Sequence, residues 1–596
     1  MWLEHPSFKE NFRKWWDEGN CDGWKGFRFM RKLKNVKGKL KIWSRETFGD
    51  IGKEKKVVEA RINELDEEER SAGICVVKKR EREVLRGRLE ELALREEIFW
   101  RQRAKLKWAK EGDNNTRFFH KLVNGRRKRN VIEKLELSNG IVVEEEDLIE
   151  EEIIRFYKNL YSSKEEVSFG IEGLHWNPIS VEKARWLETP FEEEEIKRAV
   201  FECDTVKSPG PDGFSFAVLQ RNWEVVKREV LDVMAEFHTN GVVNKVTNET
   251  YICLIPKKAN SLKVGDYRPI SLITSLYKII AKVLAWRLRE VLSDTISGAQ
   301  GAFIKGRQIL DAVLVANEVV DETRKKKKEG LVFKIDFEKA YDHVEWNFLD
   351  YAMESKGFGD RWRKWIGGCL RSANFSIQIN GRPRGKFGAS RGLRQGDPLS
   401  SFLFTLVVDV LDRLMERARD CRLIEGLVVG REEVEITHLQ FADDTIFFLK
   451  DDDHNWNNLN MVLESFCLFS GLKINKSKCS VVGINTEAGR LERMADDQGC
   501  EIGVWPMKYL GLPLGGNPKQ ASFWNPVVEK IEKSLEGWKK AFLSRGGRLT
   551  LIQAVLSSLP TYYLSLFQIP VGVAKRLESL LKIFFWDGVG EGKKTI

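Results

Sequence analysis

Three carboxylates carry the chemistry that this sequence offers. In LVFKIDFEKAYDHV a run of strand-forming residues, Leu331 to Ile335, ends on Asp336 and passes into a helix-forming segment. A carboxylate at a strand end can project into a cleft while the sheet fixes its backbone. In HLQFADDTIFFLK, Asp443 and Asp444 lie between two apolar arms, Leu439 to Ala442 and Ile446 to Leu449. That pattern suits a tight hairpin with adjacent carboxylates at its tip. Like charges side by side repel unless cations or hydrogen bonds compensate. A pair of divalent ions bridging Asp336 and Asp443 would compensate, and would serve in-line phosphoryl transfer. Each piece is weak alone: an Asp-Asp pair is ordinarily a solvated turn, and Asp336 could equally be a helix N-cap.

The elements that must hold these groups are legible in outline. From about residue 250 to 515 short apolar strands alternate with helices, interrupted by the basic run Arg324 to Lys328, ordinarily a solvated loop. Upstream, two Pro and two Gly in Lys207-Ser-Pro-Gly-Pro-Asp-Gly213 predict a rigid, irregular turn. From Lys53 to Lys107 charges of both signs alternate with Val, Ile and Leu, which predicts two long antiparallel helices broken near Ser71-Ala72-Gly73. Composition alone would make them a solvated spacer. Residues 100–132 interleave Trp100, Trp108, Phe118 and Phe119 with Arg101, Arg103, Lys105, Lys107, Arg117 and the run Arg126, Arg127, Lys128, Arg129. Aromatics can stack on bases while cations neutralise phosphates, although the same rings could belong to a core. Glu144 to Glu152 reads as a solvated or basic-partnered helix face. The C-terminal stretch reads as a helix from Trp524 to Phe542, a break at Gly546-Gly547, and two apolar helices, one with Leu577, Leu580, Leu581, Phe584 and Phe585 on one face.

Composition excludes several classes. With 42% hydrophobic and 32% charged residues over 596 positions, neither a disordered tail nor a fibrous repeat accounts for the whole chain. Lys and Arg number 99 against 89 Asp and Glu, a net charge of +10 that suits patches meeting a polyanion such as nucleic acid. The nine cysteines are scattered and form no C-x-x-C, so free buried thiols and a reducing, intracellular setting are expected, without structural zinc. No apolar run reaches a membrane span, and the opening MWLEHPSFKENFRKWW has no signal-peptide core.

Around the acidic sites stand other segments in order: KSPGPDGF, LIPK, DYRPISL, QGAFIKGRQILDAV, KIDFEKAYD, GLRQGDPLS, FADD, SGLKINKSK and YLGLPLG. Together they resemble the reverse transcriptase of plant non-LTR (LINE-type) retrotransposons over nearly the entire chain. WRQRAKLKWAKEGDNNTRFFH resembles the segment between endonuclease and polymerase in that family, and GWKKAFLSRGGRLTLIQAV its thumb. The resemblance implies an α+β, right-hand polymerase with an antiparallel palm sheet behind an α-helical N-terminal extension. Residues 1–189 would be that extension, with the basic-aromatic RNA-binding segment; 190–236 a pre-fingers segment; 237–515 fingers and palm; and 516–596 a truncated helical thumb. The activity implied is RNA-directed DNA polymerisation, joining dNTPs to a DNA primer on an RNA template.

The same resemblance implies roles position by position. Asp336 and Asp443 would hold two Mg²⁺ ions (Mn²⁺ a substitute), with Asp444 a less direct partner and the Phe337 carbonyl a further ligand. Lys257 and Arg268 would grip the triphosphate, Gln395 and Gly396 would pack against the nascent pair, and Tyr341 would clash with a 2′-hydroxyl. Lys478 matches a general acid for the leaving pyrophosphate, unless it is a solvated loop lysine. Tyr509, Leu510 and Gly511 match a primer-grip turn. Template RNA would meet Trp100, Arg101, Arg103, Arg126, Arg127, Arg129 and Arg307, although Gln300, Phe303, Gly306 and Arg307 read as mostly structural. The family's endonuclease and C-terminal region are expected to be missing, which leaves a non-catalytic, nucleic-acid-binding relic as the alternative to an active enzyme. An RNA-templated RNA polymerase is a further alternative, which Tyr341 argues against. Arg126 to Arg129 could be a nuclear address or an RNA contact, so nucleus and cytoplasm are both expected locations.

Overall fold

Leu331, Val332, Phe333 and Ile335 are all buried, and the strand they form is the middle of a sheet covered on both faces. The structure is a computed structural model and describes residues 2–19, 21–104, 123–126, 128–163, 170–539, 543 and 545–587. The strands that frame the acidic residues run, in chain order, β1 (Glu249–Pro256), β2 (Tyr267–Ile273), β3 (Gly330–Ile335), β4 (Asn374–Ile379), β5 (Arg382–Gly388), β6 (His438–Phe441), β7 (Asp444–Lys450), β8 (Ser480–Ile484), β9 (Glu501–Ile502), β10 (Met507–Tyr509) and β11 (Leu512–Leu514). One sheet has the order β6-β7-β3-β8-β9, antiparallel except where β8 meets β9; a second has the order β2-β1-β4-β5; and β10 and β11 form a separate hairpin.

The helices needed here are α1 (Phe8–Asp17), α2 (Lys25–Phe48), α3 (Ile51–Ala72), α4 (Val76–Ala104), α5 (Glu146–Leu160), α6 (Trp223–Asn240), α7 (Ser275–Thr295), α8 (Ile309–Lys325), α9 (Ser400–Asp420), α10 (Asn525–Lys539), α11 (Arg545–Ala554) and α12 (Val571–Asp587). The mixture is the α+β class expected, with a helical N-terminal region. Side-chain alternation along β3 divides the molecule. Leu331, Phe333 and Ile335 join the large core with α1, α2, α6, α7 and α9, whereas Val332 joins a second core with α8, the β10–β11 hairpin and α10 to α12. Lys334 and Asp336 share the parity of Val332, so the last positions of the run look toward the β10–β11 side. Helix α7 is buried along most of its circumference, and its N-cap Thr274 accepts the Tyr277 N–H at 3.2 Å.

Some local expectations hold and others change. The α3–α4 pair is antiparallel, with Lys55 on Glu96 at 2.9 Å and Arg61 on Glu81 at 2.9 Å. Gly546 and Gly547 are not a break: α11 starts at Arg545, and both glycines fall in its first turn, where glycine costs a helix less than in its interior. Arg324 is not solvated, because it donates to the Gly515 carbonyl at 2.8 Å and covers the Trp505 ring at 4.3 Å. The cysteines are free, but Cys75 and Cys421 are exposed rather than buried. On α5, Glu150 meets Arg384 at 3.0 Å, so this acidic face has a basic partner. Among the described residues, no helix is long and apolar enough to cross a membrane.

The proline-glycine turn is tied to β2. Asp212 accepts the Ser275 N–H at 2.7 Å, and a Cβ at Gly210 would lie 2.0 Å from the Ile273 carbonyl oxygen. Gly210→Ala is therefore expected to lose about 1–3 kcal/mol through forced repacking. Thermal unfolding and proteolysis at the turn would check this, with Gly265→Ala, which meets open space, as the neutral control.

Candidate active site

The hairpin that carries the adjacent acids is tighter than the sequence suggests. Phe441 pairs with Asp444, so only Ala442 and Asp443 form the turn, and Asp444 is the first ladder residue of β7 rather than part of the tip. Ala442 takes φ +56°, a left-handed conformation that non-glycine residues adopt at a cost. Thr445 faces Ile335, so one step further the register brings Asp444 beside Asp336. On the other flank the β8 register brings Lys478 to Asp336, and its Nζ lies 2.9 Å from Asp336 Oδ2. Lys334 Nζ lies 3.8 Å from Asp444 Oδ1. Asp443 is solvent-exposed at the tip, yet the surrounding protein raises its pKa: desolvation is the largest cause, the Asp444 and Asp336 charges add to it, and Arg268 opposes it.

The chain then leaves β3 in a constrained form. Asn475 N–H donates to the Asp336 carbonyl at 2.8 Å and Glu338 N–H to the Lys473 carbonyl at 2.7 Å. These bonds flank the Phe337–Ile474 bridge, leaving the Phe337 carbonyl turned to the opposite, hairpin side. Tyr341 is half-buried and stacks on Phe404 with centroids 4.6 Å apart. Burial first, and the Asp443 charge second, raise its pKa. Beside it Asp342 is buried and accepts the Tyr161 hydroxyl at 2.6 Å. Burial pushes its carboxyl up to about 6, against the pull of Tyr161, Lys339 and Lys257.

The second sheet supplies the cations. Lys257 and Arg268 are exposed at the β1–β2 end; desolvation, then the Lys478 and Arg268 charges, lower the Lys257 pKa. Arg268 acts on Asp443 and Lys257, and Lys478 on Lys257, so these groups from two sheets share one cleft. Gln395 lies against β2, its carbonyl accepting the Ser271 N–H at 2.8 Å. Gly396 has φ +107°, and a Cβ there would meet the Ser271 carbonyl at 3.1 Å. The β10–β11 turn is Leu510 (φ +47°) and Gly511 (φ +86°), with Tyr562 donating to the Leu510 carbonyl at 2.9 Å. Lys334 Nζ donates to the Lys508 carbonyl at 3.1 Å, and the Asp444 charge reaches buried Tyr509, so this turn borders the acids.

Other expected positions do not converge on the cleft. Arg307 is committed internally: its guanidinium donates to the carbonyls of Ser297, Gln300 and Ile296. These bonds fit the mostly structural reading of Arg307 and leave its template contact as an expectation. Trp100 packs edge-on against Phe99 with centroids 5.5 Å apart, and Arg126 and Arg129 are exposed. Arg127, Trp108 and the side chains of Arg101 and Arg103 lie outside the described residues.

The sequence marked Gln300 as mostly structural but did not show that it supports the hairpin. Gln300 is fully buried, and its Oε1 accepts N–H groups from Ala442 at 3.1 Å and Ala302 at 2.8 Å. Backbone bonds from Gly301 to the Gln440 carbonyl and from Gln440 to the Ala299 carbonyl extend the sheet beside β6. The preceding Ser297 N–H is held by Asp409, which sits in a buried cluster with Lys356 and Arg413. The signal in the sequence was only a polar residue inside QGAF. Gln300→Leu would leave the Ala442 N–H unpaired, an expected loss on the order of 1–3 kcal/mol. Native-state hydrogen exchange should then show the Ala442 amide protected in the wild type and open in the variant.

Residues 255–514 match the family described as reverse transcriptase (RNA-dependent DNA polymerase), and the chain therefore contains a reverse transcriptase domain. An uncharacterized 149 kDa protein of transposon TX1 from Xenopus laevis is 27% identical over 485 residues, 80% of this chain and 36% of the relative. The Pol polyprotein of the type-2 retrotransposable element R2DM from Drosophila melanogaster is 25% identical over 387 residues, covering 63% of this chain and 35% of that protein. The chain thus spans little more than a third of the length of either. A solved telomerase structure from Candida tropicalis, with a TWJ fragment of telomeric RNA, aligns at 14% identity and TM-score 0.31 over 63% of this chain and 66% of that one.

Proposed function

We propose that the chain is the RNA-directed DNA polymerase of a LINE-type retrotransposon, transferring nucleotides from dNTPs to a DNA primer 3′-hydroxyl on an RNA template. The observation that supports it most is the juxtaposition of Asp336 and Asp444 across adjoining strands with Asp443 at the turn, inside a reverse transcriptase domain. The plant LINE subgroup is carried by the motif resemblance, and nucleus and cytoplasm are the proposed places of action.

Among the described residues, no three His, Cys, Asp or Glu side chains already gather as a metal site. The donor set nevertheless fits Mg²⁺: it is all oxygen, and Lys478 on Asp336 and Lys334 near Asp444 show that these carboxylates accept positive charge. Asp336 and Asp443 would hold the ions, with Asp444 and the Phe337 carbonyl alongside. When bound, two Mg²⁺ ions lower the pKa of the primer hydroxyl and neutralise charge at the α-phosphate. Lys257 and Arg268 bind the triphosphate from the opposite sheet. Tyr341, braced by Phe404, lies where a 2′-hydroxyl would strike its ring. Gly396 lets the Gln395 loop approach the nascent pair closely. Lys478, released from Asp336, donates a proton to the departing pyrophosphate, and the Tyr509–Gly511 turn holds the primer end. The basic-aromatic stretch from Trp100 to Arg129 binds template RNA.

Primer extension on poly(A) with oligo(dT), dTTP and Mg²⁺ tests the reading. Wild type should extend and Asp443→Ala should not; no extension by either, with template binding intact, would leave a nucleic-acid-binding relic. Tyr341→Ala should raise ribonucleotide use at least tenfold relative to deoxynucleotides, and unchanged discrimination would remove Tyr341 from the gate. Because the Asp443 pKa is raised, protons compete for this carboxylate to a higher pH than for an ordinary Asp. The Mg²⁺ concentration for half-maximal extension should therefore rise as pH falls and drop again as pH rises, as titrations across a pH series would show.

A further inference from the structure

Helix α2 carries nine Lys or Arg residues and one acid, Glu46. Eight of its cations divide into two sets, and the ninth, Arg28, is half-buried. Those turned toward the protein have partners: Lys32 meets Glu229 at 2.6 Å, Lys25 meets Asp232 at 3.4 Å, Lys39 meets Glu18 at 3.4 Å, and Lys37 donates to the Asp212 carbonyl at 3.1 Å. Arg31, Lys34, Lys41 and Arg45 are exposed and, among the described residues, form no ion pair. Their spacing places them on one stripe of the helix, about 21 Å long at 1.5 Å per residue. Gly38 lies at the centre of this stripe, and a Cβ there would meet nothing within 4 Å. A groove of about 470 Å³ runs beside it, lined in part by Arg31, Lys34, Asn35 and Gly38. Glu18 also lines this groove, but it is engaged by Lys39.

In α3 and α4 some cations are paired across the helices, as Arg82 is with Asp66 and Arg88 with Glu54, while Lys53, Lys56, Lys79 and Arg80 are exposed and, among the described residues, form no ion pair. The α2 stripe differs in gathering its exposed cations on one face around an open glycine. An unneutralised cationic stripe around an open glycine is complementary to a sugar-phosphate backbone, which the glycine lets approach closely. The stripe also has a definite place. Helix α2 packs on α6, and through Lys37 and Asp212 it joins the turn braced against the end of β2. It therefore belongs to the large core rather than to the one that holds the β10–β11 turn.

We propose that Arg31, Lys34, Lys41 and Arg45 form a track outside the catalytic cleft for the single-stranded RNA template still to be copied. The kind of strand rests on the polymerase reading; the track itself does not. The test measures binding alone, so an inactive polymerase would still give an answer. Anisotropy of a labelled primer–template with a 5′ RNA overhang of about 30 nucleotides would be compared with the same duplex made blunt, between 50 and 200 mM KCl. The wild type should bind the overhang substrate more tightly than the blunt one. The variant R31Q/K34Q/K41Q/R45Q should lose that gain, and its slope of log affinity against log salt should fall by about 2–3, at roughly 0.7 per single-strand phosphate contact. Gly38→Glu, which places a carboxylate in the open centre of an intact helix, should weaken overhang binding at least threefold. Equal losses on the blunt duplex would assign the stripe to the duplex and overturn the proposal. No loss in either variant would also overturn it and point to an acidic protein surface instead.

Discussion

Holding like charges together at one end of a sheet is the constraint on which this structure turns. Asp336 and Asp444 are brought side by side by ladder register, with Asp443 one residue away, and their charges make Asp443 harder to ionise. A flexible loop would let them separate. Here β3 is central, paired on both edges and buried on both faces, so Asp336 cannot withdraw without disturbing two cores. The left-handed Ala442 is held in the same spirit, by Gln300 from outside the hairpin rather than by the turn itself.

Support for the hairpin continues inward. Lys356 and Asp409 are fully buried, Arg413 binds the same carboxylate at 3.2 Å, and Asp409 also fixes the Ser297 N–H that leads into Gln300. Buried ion pairs contribute little net stability, because desolvation offsets most of the attraction. Removing one partner is far more costly, since a charge is then stranded in the core. This cluster therefore serves to fix one arrangement of the 295–302 segment against α9. That segment reaches the Ala442–Asp443 hairpin by two backbone bonds and a side chain, which makes it a physical route from the core to Asp443.

How much of this was legible depended on whether the signal was local. The apolar run ending at Asp336 and the two arms around Asp443 are short, strand-length runs of apolar residues, and the structure places both as strands. The class of the fold came from the resemblance that the ordered motifs carry, not from element patterning. Asp444 was misplaced at the tip because patterning does not distinguish a two-residue turn from a longer one. Gly546-Gly547 looked like a break because glycine is poor inside a helix, but in a first turn that penalty is small. Arg324 and Arg307 looked like cations for solvent or template; only tertiary structure brings Trp505 and the Gly515 carbonyl to one, and three carbonyls to the other. Gln300 was the least legible, because its partner lies 142 residues away and no spacing rule connects them.

The pairing of Lys478 with Asp336 could look like an obstacle to metal entry, but its energetics argue otherwise. The lysine side chain is 62% exposed and the aspartate 33%. Exposed pairs of this kind are worth about 0–1 kcal/mol, since water and salt screen the attraction and a long side chain must be ordered. A divalent ion offers the same carboxylate twice the charge, so Lys478 can be displaced at little cost. Its other surroundings then matter: β8 keeps its backbone beside Asp336, and its charge still reaches Lys257 across the cleft. In the proposed reaction a displaced Lys478 would stay within the cationic side of the cleft, where a polyphosphate rather than a carboxylate would be its partner.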